Sequence, residues 1–159
     1  MSRIWLFSDG SVNTKTNVGY GAYIQMLEDT PFDASMALDV KVKVFEQTSS
    51  TKLELQTLLW ALDEVKGYAD EIVIYTDSQN IISLPKRRER FQQSGFLTKK
   101  NILIANHLLY KAFYKMIDNV SCTLVKVKGH KRTEEKNELD FFFTLVDRAS
   151  REALRKSAL

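Results

Sequence analysis

The chain has a single cysteine, Cys122, in 159 residues. No internal disulfide can form, and the thiol fits a reducing, cytoplasmic setting. It also lacks a long apolar run. Ile4-Trp5-Leu6-Phe7 ends at Ser8-Asp9, too short to cross a bilayer or to form the apolar core of a secretory leader. Repeats, low-complexity tracts and linker-like stretches are missing as well. These absences exclude a membrane-spanning protein, a disulfide scaffold and a repeat array, and leave one domain over residues 1–159 as the expectation. That length buries a real core without covalent staples.

What is present is an ordinary globular balance, 44% hydrophobic and 27% charged, with a net charge of +3. So small an excess identifies nothing by itself, but its distribution is uneven. Between residues 86 and 100 six basic side chains (Lys86, Arg87, Arg88, Arg90, Lys99, Lys100) face one acid, Glu89. Lys126, Lys128, Lys131 and Arg132 form a second group. Clustered cations are the footprint of a polyanion binder; the plainer alternative is a solvated helix face.

Residues 3–9 read as a buried strand ending at Asp9, 19–27 as a second strand, and 38–46, alternating valine with lysine, as a third. Leu55, Leu58, Leu59, Leu62 and Val65 share one face of a helix over 52–66. A strand over 71–75 follows, then a helix interrupted at Pro85. A second helix of about 101–117 carries Leu103, Leu108, Leu109, Phe113 and Met116. A fifth strand spans 120–127, and a last helix about 142–157. The order implies an α/β fold: a mixed five-stranded sheet, its first three strands antiparallel and the rest parallel, flanked by helices.

Four acids stand out by position. Asp9 and Asp77 close strands, Glu54 lies in the first turn of a helix, and Asp147 sits near the start of the last helix. Gathered carboxylates repel one another, and a divalent cation removes that cost. Oxygen-only ligands suit Mg²⁺ or Mn²⁺, the equipment for attack of water on a phosphodiester. Each acid also has a structural explanation. Thr51 and Glu54 have the spacing of a capping box, Asp77 can cap the following helix, Asp9-Gly10-Ser11 can be a turn, and Asp147 a surface acid.

The motifs resemble ribonuclease H type 1. Asp9-Gly10-Ser11 with Gly19-Tyr20-Gly21-Ala22 looks like the family's opening, and Leu53-Glu54-Leu55 like its second motif. Thr76-Asp77-Ser78-Gln79 and Val127-Lys128-Gly129-His130 are similar to the third and fourth, and Val146-Asp147-Arg148-Ala149 with Ala153 to the fifth. The resemblance runs in order over nearly the whole chain. It implies the ribonuclease H-like fold and a two-metal endonuclease cutting RNA paired with DNA. Asp9, Glu54, Asp77 and Asp147 would hold two Mg²⁺ or Mn²⁺ ions, and His130 would assist product release or proton movement. Gly10, Ser11 and Gln79 would face the RNA strand, whose 2′-hydroxyls distinguish it from DNA.

The chain departs from the family at three places. Ser50 and Thr51 stand where many members carry asparagines that touch the hybrid. Asp140, ten residues after His130, competes with Asp147 as the fourth acid. Arg87, Arg88 and Phe96 fall in the segment that grips the DNA strand in many members, with Phe91 and Phe96 where tryptophan is common; packing is the alternative for the phenylalanines. A monomer is expected. The rival readings are another nuclease on the same fold and a non-catalytic nucleic-acid-binding module.

Overall fold

The computed structural model describes residues 2–128 and 131–158. The strands are β1 (Arg3–Asn13), β2 (Val18–Leu27), β3 (Lys41–Phe45), β4 (Glu71–Thr76) and β5 (Cys122–Lys126). The helices are α1 (Ser50–Val65), α2 (Gln79–Gln93), α3 (His107–Asn119) and α4 (Glu138–Ser157). One sheet runs in the order β3-β2-β1-β4-β5. β1, β2 and β3 pair antiparallel, whereas β4 joins β1 and β5 joins β4 in parallel. The mixed sheet is therefore the one that the element order implies.

Alternation along the strands divides the interior into two layers. Ile4, Leu6, Ile72 and Ile74 face α1, α2 and α3 together with Leu58, Leu62 and Phe113. Phe7, Val73 and Tyr75 face α4 with Phe142, Phe143 and Val146. Each fully buried aliphatic side chain contributes about 1.5–3 kcal/mol. The two layers clamp the sheet and fix the places where its strands end.

Four boundaries differ from those read in the sequence. β1 continues to Asn13, because Gly10 to Asn13 go on pairing with β2 after the pairing with β4 has stopped. α2 passes through Pro85 without interruption. In the stretch before it two carbonyls take side-chain donors: Ser83 and Arg87 donate to the Asn80 oxygen, and the Tyr114 hydroxyl to that of Leu84 at 2.7 Å. Buried Leu84 and Phe91 anchor both halves of the helix. α3 starts only at His107, after Asn101 and Asn106 adopt positive φ, a conformation asparagine tolerates. Leu103 and Leu108 consequently lie at the surface, 52% and 69% exposed. α4 begins earlier than expected, at Glu138, where Asn137 and Asp140 form a capping box.

Helix α1 lies against the antiparallel half of the sheet because glycines let it approach. A Cβ at Gly10 would stand 2.9 Å from the Leu53 side chain, and one at Gly21 would overlap the Thr57 hydroxyl. That seating carries Glu54 toward β1. Gly21→Ala should destabilise the protein by about 1–3 kcal/mol through overpacking. Combining it with Thr57→Ala should restore part of the loss in thermal unfolding. An unchanged Tm for the single variant would mean that α1 has room to move.

Candidate active site

The register of β1 on β4 sets the first pair of acids. Phe7 is opposite Tyr75, and two residues further along each chain come Asp9 and Asp77. Parallel strands in register thus deliver both carboxylates to one end of the sheet, where β4 stops and β1 goes on. Glu54 arrives from α1 through the Leu53–Gly10 contact. Its Oε2 accepts a hydrogen bond from the Ser78 hydroxyl at 2.6 Å, which ties α1 to the start of α2. Asp147 comes from the middle of α4, held by buried Val146 on one side and by Ser150, whose hydroxyl is 3.1 Å from that of Ser11, on the other.

The electrostatics show that the four acids converge. Burial pushes the Asp9 carboxyl up to about 8, aided by the charge of Asp77 and a hydrogen bond with Asp147, and opposed by the Gly10 amide. Burial also raises Glu54, against the Ser78 hydroxyl, with Asp77 adding to the rise. Asp9 is therefore the hub, linked to Asp77 and Asp147, while Glu54 joins through Asp77. Oxygen-only donors that resist sharing negative charge fit a hard dication such as Mg²⁺ or Mn²⁺. The links are pairwise: no three His, Cys, Asp or Glu side chains among the described residues already enclose a common point.

The structural alternatives for these acids can now be judged. Glu54 does not cap α1; the N-cap is Ser49, whose hydroxyl accepts from the Lys52 amide. Asp77 does not cap α2 either, because Ser78 does, accepting from the Ile81 amide. Asp9 lies within a strand and not in a turn. Asp140 accepts from the Asn137 amide at 2.9 Å and pairs with Lys131 at 3.0 Å. It serves the end of α4, while Asp147 meets Asp9. Ser78, as a partner of Glu54, went unnoticed in the sequence; a serine directly after the third acid was the available signal.

Gly10 and Ser11 continue β1 beyond Asp9. Ser50 and Thr51 are exposed in the first turn of α1. Gln79, the first residue of α2, accepts from the Lys126 ammonium at 2.6 Å. Phe96 is buried against Phe91, which stacks on Tyr110. Arg87 lies over Phe91 and Tyr110 and donates to Asn80. Arg88 makes a two-pronged bond to Asp118 at 2.6 Å. In the basic segment Lys86, Arg90, Lys99 and Lys100 are exposed, Arg90 lying over the Phe91 ring. Gly129 and His130 lie outside the described residues.

The mixed sheet gathers these acids at one end of β1 and β4, and the comparisons place a chain of this fold in a known family. The RNase H family model matches residues 1–153, and the chain belongs to that family. It is 28% identical over 133 residues to a ribonuclease H of Syntrophomonas wolfei, covering 82% of this chain and 86% of that protein. It is 26% identical over 141 residues to a ribonuclease H of Novosphingobium aromaticivorans, covering 88% and 93%. The solution structure of the PFV RNase H domain superposes with a TM-score of 0.74 at 17% identity, over 96% of this chain and 94% of that one. A foamy viral protease-reverse transcriptase bound to dsDNA superposes at 0.65 with 10% identity, over 94% and 93%; at such identities the likeness is one of fold.

The raised Asp9 carboxyl has a consequence for stability. Its value in the folded protein, about 8, lies above the ordinary 3.8. The folded state therefore binds the extra proton, and stability in EDTA falls as pH rises from about 4 to about 8 and then levels off. Asp9→Asn should remove that slope and raise Tm at pH 8 by on the order of 5 °C. Equal slopes for the two proteins would contradict the raised Asp9 carboxyl.

Proposed function

We propose that the chain is an endoribonuclease that hydrolyses the RNA strand of RNA/DNA hybrids. The observation that supports this most is the convergence of Asp9, Asp77, Glu54 and Asp147 at one end of the sheet in a member of the RNase H family. The four acids would hold two Mg²⁺ or Mn²⁺ ions. When bound, such ions lower the pKa of the attacking water and stabilise the leaving oxygen of an in-line displacement.

The residues of the chain then have separable tasks. Asp9, with two acidic neighbours, would hold the cation in its deprotonated form. Ser78 holds the Glu54 carboxylate in place through its hydroxyl. Gly10, Ser11, Ser50, Thr51 and Gln79 form the rim that meets the RNA strand, with 2′-hydroxyl contacts as the basis of selection. His130 follows the last strand and assists proton movement or product release. No helix among the described residues is long and apolar enough to cross a membrane, and we take the working unit to be a monomer.

The test is cleavage of an end-labelled RNA strand, alone, paired with RNA and paired with DNA, in Mg²⁺, Mn²⁺ or EDTA. Internal cuts confined to the DNA-paired strand and abolished by EDTA are expected. No cuts from folded protein with either metal would leave a binding module, or a nuclease for another substrate. Asp9→Asn should abolish cutting and keep most hybrid binding.

The fourth acid is decided by a matched pair of variants. Asp147→Asn should reduce cleavage to background. Asp140→Asn should cost about 1 kcal/mol of stability through the weakened cap and leave kcat within a few-fold. The reverse pattern would move the ligand to Asp140.

A further inference from the structure

Beside the acids a cleft of about 500 Å³ opens between α4 and the segment that precedes it. It takes in Asp77 and Asp147 and is rimmed by Lys128, Lys131, Lys136, Arg148, Arg151 and Arg155. Three of these cations are committed locally. Lys131 pairs with Asp140 and Arg151 with Asp147, each at 3.0 Å, and Lys136 donates to the Thr144 hydroxyl at 2.8 Å. Lys128 and Arg148 are exposed and make no ion pair among the described residues. Arg155 interacts with Glu152, whose principal partner is Lys156.

Arg148, Arg151 and Arg155 stand at offsets of 0, 3 and 7 and so share one face of α4. At 1.5 Å per residue the row is roughly 10 Å long, the axial rise of about three base pairs at 3.4 Å each. It starts next to Asp147 and leads away from the carboxylates. A second hollow lined by Asn13, Arg151, Leu154 and Arg155 continues it toward the end of the helix. Arg151, in the middle of the row, pairs at i,i+4 with Asp147, as Lys156 does with Glu152. Arg148 and Arg155 instead point into the cleft that holds the acids.

We propose that this arginine row is a phosphate track. It binds the backbone of the strand that passes through the carboxylates, over about three nucleotides to one side of the cut. This inference rests on the hybrid-cleaving reading and adds to it a length requirement on that side. Arg148 and Arg155 are positioning residues: they touch phosphates away from the reacting one and act on substrate affinity.

The test is the double variant Arg148→Gln/Arg155→Gln, with Arg148→Lys/Arg155→Lys as the charge-preserving control. Binding of a fluorescent RNA/DNA hybrid is measured in EDTA over a salt series, and KM and kcat on a long hybrid in Mg²⁺. The glutamine pair should make the slope of log K against log salt shallower by about 1.8, that is about 0.9 per lost phosphate contact. KM should rise severalfold with kcat retained, and the lysine pair should keep the wild-type slope. If the glutamine pair fails to fold, exposed Arg148→Gln alone carries the readout, with a change of about 0.9. A wild-type slope and KM in a folded glutamine variant overturns the track and leaves the nuclease reading standing. A shallower slope in a protein that cuts no hybrid overturns the nuclease reading and leaves the track standing.

Discussion

The burial and mutual repulsion of carboxylates gathered at one end of β1 and β4 govern this molecule. Asp9 and Asp77 are brought together by parallel pairing, which sets their spacing before any ligand is present. Burial, with the charge of Asp77 and the hydrogen bond with Asp147 adding to it, pushes the Asp9 carboxyl up to about 8. Such a site costs folding energy. That cost is met by burial on both faces of the sheet, where Leu6, Ile72 and Ile74 on one side and Phe7 and Phe142 on the other are fully excluded from solvent. The strain of the site and the strength of the core beneath it are two sides of one arrangement.

Helix seating turns that pair of strand ends into a four-acid site. Gly10 and Gly21 remove the side chains that would hold α1 away, so Glu54 comes within reach of Ser78. On the opposite face, Val146 packs into the layer around Phe7, and this contact sets the height of Asp147 along α4. The Ser11–Ser150 and Ser78–Glu54 contacts add polar, uncharged fixings. They orient the cluster without adding charge to it.

The cations divide into two populations. Arg87 and Arg88 serve the protein itself, bridging α2 to its own N-terminal turn and to α3. Their forked guanidinium groups suit such multi-pronged bonding, and Arg87 also lies on aromatic faces. Arg148 and Arg155 face the acidic cleft from α4, where their charge attracts a polyanion toward a site that would otherwise repel it. Sequence clustering highlighted the first population; the second emerges only when the helical offset of Arg148 and Arg155 sets both on the face of α4 beside the acids.

The sequence by itself determined the element order and the mixed sheet, and it singled out the acids that the fold then brings together. These are carried by local signals: alternation in Ile4–Phe7, the helical spacing of Leu55 to Val65, and acids set directly after apolar strands. Tertiary structure decided which structural alternative applied to each acid. Thr51 and Glu54 have the spacing of a capping box, yet Ser49 caps α1, because the chain enters the helix two residues earlier than the apolar face suggests. Asp140 and Asp147 were both eligible, and the capping box at Asn137 commits one while packing of Val146 delivers the other. Pro85 reads as a break, yet buried Leu84 and Phe91, with the Tyr114 hydroxyl on the Leu84 carbonyl, hold both halves in one helix. In each case the deciding partner is set by the folded chain's hydrogen bonding and packing, and spacing along the sequence alone does not encode it.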